Sequence, residues 1–169
     1  MDSKNVKKFV RFYDTGFNAI YRYCLVKTSD DELAKDLAQQ AFLKTWVYVQ
    51  TKQEALNIKS LVYKIAQNLI IDWYRKKKDV SLDALMEQGF DVAGENTAKD
   101  AARYHSTAKI LEEIDESDKE LIILRYVNGL KPKEIAEMQD ENVNVISVRI
   151  HRAKKRLQTI IKTKGYELF

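Results

Sequence analysis

Asn142-Val143-Asn144-Val145-Ile146-Ser147-Val148-Arg149-Ile150-His151-Arg152-Ala153-Lys154-Lys155-Arg156-Leu157 sets apolar residues at 146, 150, 153 and 157. Steps of three and four stack side chains on one stripe of an α-helix. At about 100° per residue, Ile160 and Ile161 extend that stripe, while Asn144, Val148, His151, Arg152 and Lys155 face the other way. Asn142 can cap the start, and the pattern runs to about Lys162. Between Asn142 and Lys164 there are 7 basic residues and no acid, the sharpest electrostatic feature of the chain.

Upstream, Pro132 lacks an N–H but has a helix-compatible φ, so it suits the first turn of a short helix through Met138. A short helix, a brief turn and a longer basic helix form a helix-turn-helix candidate, whose second helix enters the DNA major groove. On its outward face Asn144 and Arg152 can hydrogen-bond base edges and Val148 can meet a thymine methyl. Arg149, Lys154 and Arg156 on the flanks can hold phosphates. The plainer alternative is a solvated basic face on an ordinary surface helix, and a lone His151 is more often a surface histidine than a base contact. Before Pro132, Ser117-Asp118-Lys119-Glu120 reads as a capping box ahead of Leu121, Ile122, Leu124 and Val127, with Gly129 as the C-terminal stop. This block begins near Thr107, with Ile110, Leu111 and Ile114.

In the first half, Phe9, Phe12, Tyr13, Phe17, Ile20, Tyr21 and Cys24 recur at helical steps between Val6 and Val26. Ser29-Asp30-Asp31-Glu32 reads as a capping box opening a second helix to about Val49. That helix is apolar on more than one face: Leu33, Leu37, Ala41 and Tyr48 form one stripe, and Leu43 and Val47 lie across from it among Asp36, Gln39 and Gln40. Such a helix is central in its domain, or it has a partner. After a polar stretch from Gln50 to Lys59, Leu61, Val62, Ile65, Leu69 and Trp73 mark a third helix that stops at Arg75-Lys76-Lys77-Lys78. Trp73 is expected in the core. Asp72, three residues before Arg75, is expected to make a structural hydrogen bond or ion pair.

The 169 residues, 45% hydrophobic and 32% charged, accommodate two small helical domains but no large enzyme core. Five glycines and a single proline suit helices joined by short turns. The net charge of +4 is unevenly spread: residues 1–80 hold 15 Lys and Arg against 9 Asp and Glu, residues 81–107 hold 2 against 5, and residues 108–169 hold 12 against 11. Residues 81–107 include Gly89, Gly94, Asn96 and Thr97 and lose sustained periodicity apart from a Leu82-Leu85-Met86 cluster. The expected fold is all-α: two small helical domains, 1–79 and 108–169, joined by a flexible acidic linker, 80–107, with the second domain a helix-turn-helix.

Cys24, the sole cysteine, excludes an intrachain disulfide and a cysteine-based zinc site and suits a reducing cytoplasm. The charged N-terminus lacks an apolar signal region, and no apolar run nears the roughly 20 residues of a membrane span, so a cytoplasmic protein without membrane insertion is expected. With no glycine-rich phosphate loop and only His105 and His151 as histidines, neither a cofactor nor a metal nor an enzymatic activity is expected. Asp30-Asp31-Glu32 are explained by capping and the helix dipole.

Ala34-Lys35-Asp36-Leu37-Ala38-Gln39-Gln40-Ala41-Phe42-Leu43-Lys44-Thr45-Trp46 resembles the polymerase-binding helix of the sigma-70 family's extracytoplasmic-function group. Leu61 to Lys78, with Tyr63, Lys64, Gln67, Asn68, Asp72, Tyr74 and Arg75, resembles that group's DNA-melting and minus-ten-recognition helix, and Glu134-Ile135-Ala136 with Ile146 to Leu157 resembles its reader of the minus-thirty-five element. The three motifs stand in the family's order and span most of the chain. The resemblance implies a sigma factor that binds core RNA polymerase and directs promoter-specific initiation. Asp36, Gln39, Phe42 and Leu43 would meet the clamp helices of the polymerase's largest subunit, with Leu43 and Val47 as the apolar centre. Tyr63, Lys64, Gln67, Asn68, Tyr74, Arg75, Lys76 and Lys77 would hold the opened minus-ten strand, where bases stack on rings and phosphates meet cations. A base-capturing loop would lie in Gln50 to Lys59. Asn144, Ser147, Val148, Arg149, His151, Arg152 and Lys155 would meet minus-thirty-five DNA. An anti-sigma factor is a further partner that the resemblance allows.

Two other readings stay open. A helix-turn-helix regulator that never binds core polymerase would leave the 34–47 motif without a role. In the other, acidic Asp83, Glu87, Asp91, Glu95 and Asp100 shield the basic faces until polymerase binds.

Overall fold

The computed structural model describes residues 4–51, 57–80 and 113–164, and the regular structure among them is entirely helical. The chain divides into two compact units, Met1–Ala93 and Gly94–Phe169. The Leu82-Leu85-Met86 cluster, the expected linker beyond Val80, the start near Thr107, and most of the proposed base-capturing loop lie outside the described residues, as do His105 and the acids of the shielding hypothesis.

In the first unit α1 (Lys4–Thr28), α2 (Asp31–Thr51) and α3 (Ile58–Val80) pack on one another. Only Ser29 and Asp30 separate α1 from α2. Ser29 turns the chain in the left-handed region at φ 55°, and its N–H bonds the Leu25 carbonyl at 2.9 Å to close α1. The cap of α2 therefore falls to Asp30, whose carboxylate accepts the Leu33 N–H at 3.0 Å, and not to Ser29 as expected. Just inside α2, Asp31 accepts the Tyr21 hydroxyl and lies 2.5 Å from the Lys35 ammonium. The Lys35 bond first, then the Tyr21 bond, holds the Asp31 carboxyl below the ordinary range, and the bond to Asp31 pushes Tyr21 up.

Aromatic rings fill the α1–α2 interface. Phe12 and Phe17 stack on Phe42 at 6.0 and 5.7 Å, Phe9 and Tyr13 meet it edge-on at 6.1 and 5.1 Å, and Trp46 lies 5.3 Å from Phe9. Gly16 makes room for this cluster, because a Cβ there would come within 2.6 Å of the Phe12 ring. Opening α3, Asn57 accepts the Ser60 N–H at 3.3 Å. Val62, Tyr63, Ala66, Leu69 and Ile70 of α3 are buried, with Tyr63 edge-on to Tyr23 at 5.4 Å. The helix does not stop at Arg75-Lys76-Lys77-Lys78 but runs through it to Val80, since Lys and Arg are strong helix formers that need no burial.

In the second unit α4 (Glu116–Ile122) continues as one π-helical turn (Ile123–Val127), followed by α5 (Pro132–Gln139) and α6 (Val143–Lys164). The cap of α4 is Asp115, which accepts the Asp118 N–H at 3.0 Å and the Ser117 hydroxyl at 2.7 Å. The expected capping residue, Ser117, thus sits inside the helix that it was to open. Gly129, at φ 66°, ends this segment as expected, and Pro132 opens α5 with the Glu134 carboxylate accepting the Lys131 N–H at 2.7 Å. Asp140 turns left-handed at φ 54°, the Glu141 N–H bonds the Ala136 carbonyl at 2.9 Å, and Asn142 caps α6 by accepting the Asn144 N–H at 2.8 Å. Helix α6 packs on α4 and α5 through buried Ile146, Ile150 and Ala153, with Leu157, Ile160 and Ile161 half-buried beyond them. The core beneath is Leu121, Ile123, Leu124, Leu130, Ile135 and Met138, each worth about 1.5–3 kcal/mol of transfer free energy on full burial.

Candidate functional site

On α2 the second apolar face stands clear of the core. Leu43 is 62% and Val47 55% exposed, and Asp36 and Gln39 beside them are exposed. Phe42 does not share this face: it is 2% exposed, because the rings of α1 enclose it. It supports the surface from below and presents nothing to a partner. Tyr48, expected on the inward stripe, is also exposed.

Along α3, Lys64 and Gln67 are half-buried and Asn68, Tyr74, Arg75, Lys76 and Lys77 are exposed. Tyr63 departs from expectation. It is fully buried against Tyr23, so its ring has no face for a base. Tyr74 keeps its ring exposed while its hydroxyl donates to the Lys27 carbonyl, which fixes the ring's direction. It lies edge-on to Trp73 at 4.8 Å, and the Lys77 ammonium sits 4.9 Å from the Trp73 ring centre. Trp73 is half-buried, so the residue expected in the core shares a surface of ring and cation. The spacing of Trp73 and Lys77, four apart on one helix, is the signal that could have marked it. Asp72 pairs with Arg75 at 3.2 Å, as expected; both are well exposed, so the pair adds little stability and leaves Arg75 open to a phosphate.

On α6, Asn144, Ser147, Val148, His151, Arg152 and Lys155 are exposed and Arg149 is half-buried. The Ser147 hydroxyl donates to the Val143 carbonyl at 2.7 Å, which leaves it an acceptor. Lys154 sits 5.8 Å from the Tyr126 ring centre. Arg156, expected on the flank as a phosphate contact, is exposed but already paired within the fold. Its guanidinium pairs with Asp118, and with Asp115 at 3.2 Å. The N–H of Asp118 and the Ser117 hydroxyl, with Arg156 adding its field, hold the Asp115 carboxyl below the ordinary range. Among the described residues no three His, Cys, Asp or Glu side chains are grouped to hold a metal ion, and no helix is long and apolar enough to cross a membrane.

The chain as a whole is similar to known proteins. The sigma-70 region 2 profile matches residues 12–80 and the sigma-70 region 4 profile matches residues 105–157. The chain is 33% identical over 137 residues to RNA polymerase sigma factor SigV of Bacillus subtilis, covering 80% of this chain and 79% of SigV. It is 28% identical over 151 residues to the ECF RNA polymerase sigma factor SigM of the same organism, covering 88% of this chain and 91% of SigM. In fold it is similar to the sigma factor RpoE solved in complex with the anti-sigma factor NepR from Bartonella quintana, with a TM-score of 0.72 at 22% identity over 92% of this chain and 98% of that one. It is likewise similar to CnrH solved with the cytosolic domain of CnrY, with a TM-score of 0.67 at 17% identity, covering 95% and 91%.

Proposed function

The chain belongs to the extracytoplasmic-function group of the RNA polymerase sigma-70 family and directs transcription initiation, and from that premise we propose how its residues divide the work. Asp36, Gln39, Leu43 and Val47 dock on the clamp helices of the largest subunit of core polymerase. The observation that carries this is the pair Leu43 and Val47, exposed on a helix whose opposite side is already buried. An apolar centre with a polar rim is the anatomy of a protein interface, and a chain working alone gains nothing from exposing it.

In this reading residues 1–79 form region 2 and 108–169 form region 4, with 80–107 as the linker. Tyr74 and Trp73 offer ring surface to unstacked bases of the minus-ten strand, and Lys64, Arg75, Lys76 and Lys77 offer cations to its phosphates, with Gln67 and Asn68 as amide donors. The strand stays open because its unstacked form is bound, at a few kcal/mol per extruded base, so binding free energy replaces chemistry and the chain is not an enzyme. Asn144, Val148, His151, Arg152 and Lys155 read the minus-thirty-five bases, flanked by Ser147 and Arg149. The chain acts in the cytoplasm, where core polymerase and promoter DNA are. An anti-sigma factor, the partner in the RpoE neighbour's solved complex, is a partner here too.

The test is co-elution with purified core polymerase by size exclusion, wild type beside the Asp36→Arg/Leu43→Glu double variant. Stable co-elution lost in the variant is expected. A folded wild type that fails to bind favours the stand-alone helix-turn-helix regulator.

A further inference from the structure

One cation of α6, Arg156, is engaged by acids of the neighbouring helix entry. The carboxylate that Arg156 meets, Asp118, has a side chain only 7% exposed, whereas Arg156 itself is 57% exposed. Asp115, the cap of α4, completes the grip. Two turns further along α6, Lys164 pairs with Glu113. Three acids at the entry to α4 thus run along the distal half of α6.

What this half needs is resistance to rolling. Its buried contacts end at Ala153, and beyond it Leu157, Ile160 and Ile161 are only half-buried. An apolar stripe sets how closely a helix approaches its neighbours but is non-directional, and a methyl group is a shallow knob. A roll of about 15° moves a side-chain atom about 6 Å from the helix axis by roughly 1.5 Å. Hydrogen bonds to base edges tolerate about 0.5 Å.

We propose that Arg156 is a positioning residue for minus-thirty-five recognition: anchored to Asp118 and Asp115, it fixes the rotation of α6 so that Asn144, Val148, His151 and Arg152 meet the base edges in register. It acts through the α4 acids and makes no phosphate contact of its own. The inference rests on the reading of α6 as the minus-thirty-five reader.

Holoenzyme assembled from the full chain and core polymerase transcribes a promoter library randomised across the minus-thirty-five element, and sequencing the transcripts gives the base preference. Unfolded molecules lower all transcripts alike, so a loss of stability alone does not move this ratio. Arg156→Ala and Asp118→Ala are each expected to flatten the preference at the best-read base by roughly fivefold or more, the size of one lost base contact. The double variant is expected to be no flatter than either, and Arg156→Lys to lie between. The dependence of promoter binding on salt keeps its slope in Arg156→Ala, while Lys154→Ala lowers it by about 0.9. Should a variant fail a circular dichroism melt, Arg156→Lys and Asp118→Asn, which keep the size of the side chains, decide. A slope lowered by about 0.9 in Arg156→Ala with the base preference intact would identify a phosphate contact and overturn the proposal. So would a wild-type preference in both Asp118 variants. A wild type without any preference across the element sinks the reading of α6 as well, whereas a clear wild-type preference that no variant changes sinks this inference alone.

Discussion

Phe42→Ala and Leu43→Glu, neighbours on α2, should fail in opposite ways. Phe42 is 2% exposed with Phe9, Phe12, Tyr13 and Phe17 packed on its ring at 5.1 to 6.1 Å. Truncating such a ring removes its transfer free energy and leaves a cavity, about 3–5 kcal/mol, against a total of about 5–15 kcal/mol for a typical domain. Leu43, at 62% exposure, has no core to lose, and its replacement should change stability by at most about 0.5 kcal/mol. A carboxylate at the centre of the proposed polymerase interface, however, should cost at least about 2 kcal/mol of binding, roughly 30-fold in Kd. Urea titration followed by circular dichroism measures the first effect, and titration of labelled protein with core polymerase measures the second. Leu43→Glu should keep the wild-type midpoint and bind weakly. Phe42→Ala should lose midpoint and bind less only in proportion to its unfolded fraction. A Phe42→Ala protein of wild-type stability that no longer binds would refute the division between core and contact face, as would a Leu43→Glu protein that unfolds early.

Gly16→Ala should lower the melting temperature, because overpacking against the Phe12 ring costs about 1–3 kcal/mol and outweighs the roughly 1 kcal/mol by which alanine favours a helix over glycine; a higher melting temperature contradicts the close approach. Burial pushes the Cys24 thiol up to about 12, so the unfolded chain ionises this group first, from about pH 8.5. Its contribution to stability is therefore lost as the pH rises from there to about 12, and comparison of urea midpoints across that window should show a smaller fall in Cys24→Ala than in wild type. For Asp115, whose carboxyl is held low, the contribution is present above the ordinary aspartate range of about 3.9 and lost as the pH falls through the lowered value. The stability gap between wild type and Asp115→Asn should accordingly be widest near neutrality and close on acidification, and a gap independent of pH argues against the assigned charge interactions.

The helices with a strong apolar period, α1, α3 and α6, were legible because a single buried stripe sets the period. Their ends were less so. Ser29 and Ser117 each begin a sequence that fits a capping box, yet an aspartate nearby does the capping: Ser29 is needed for the left-handed turn between two closely joined helices, and Asp115 takes two donors at once. The basic run after Tyr74 looked like a boundary because its apolar period ends there, but exposed lysines continue a helix without one. At the site, periodicity separated Leu43 and Val47 from the core correctly. The resemblance puts Phe42 and Tyr63 at contact faces, while the rings of α1 that bury them belong to a distant part of the chain. The helical pattern alone groups Arg156 with the DNA-facing cations, because the acids that engage it lie 38 and 41 residues away in sequence.

Reconstituting core polymerase with and without this chain on a pool of promoter templates, mapping transcript starts and probing unpaired thymines with permanganate, measures promoter selection and strand opening together. Defined starts with reactive thymines just upstream of them, absent with core polymerase alone and weakened in Trp73→Ala/Tyr74→Ala, are predicted. Starts and reactivity indistinguishable from those of core polymerase alone, with the chain folded and present in excess, would contradict the account.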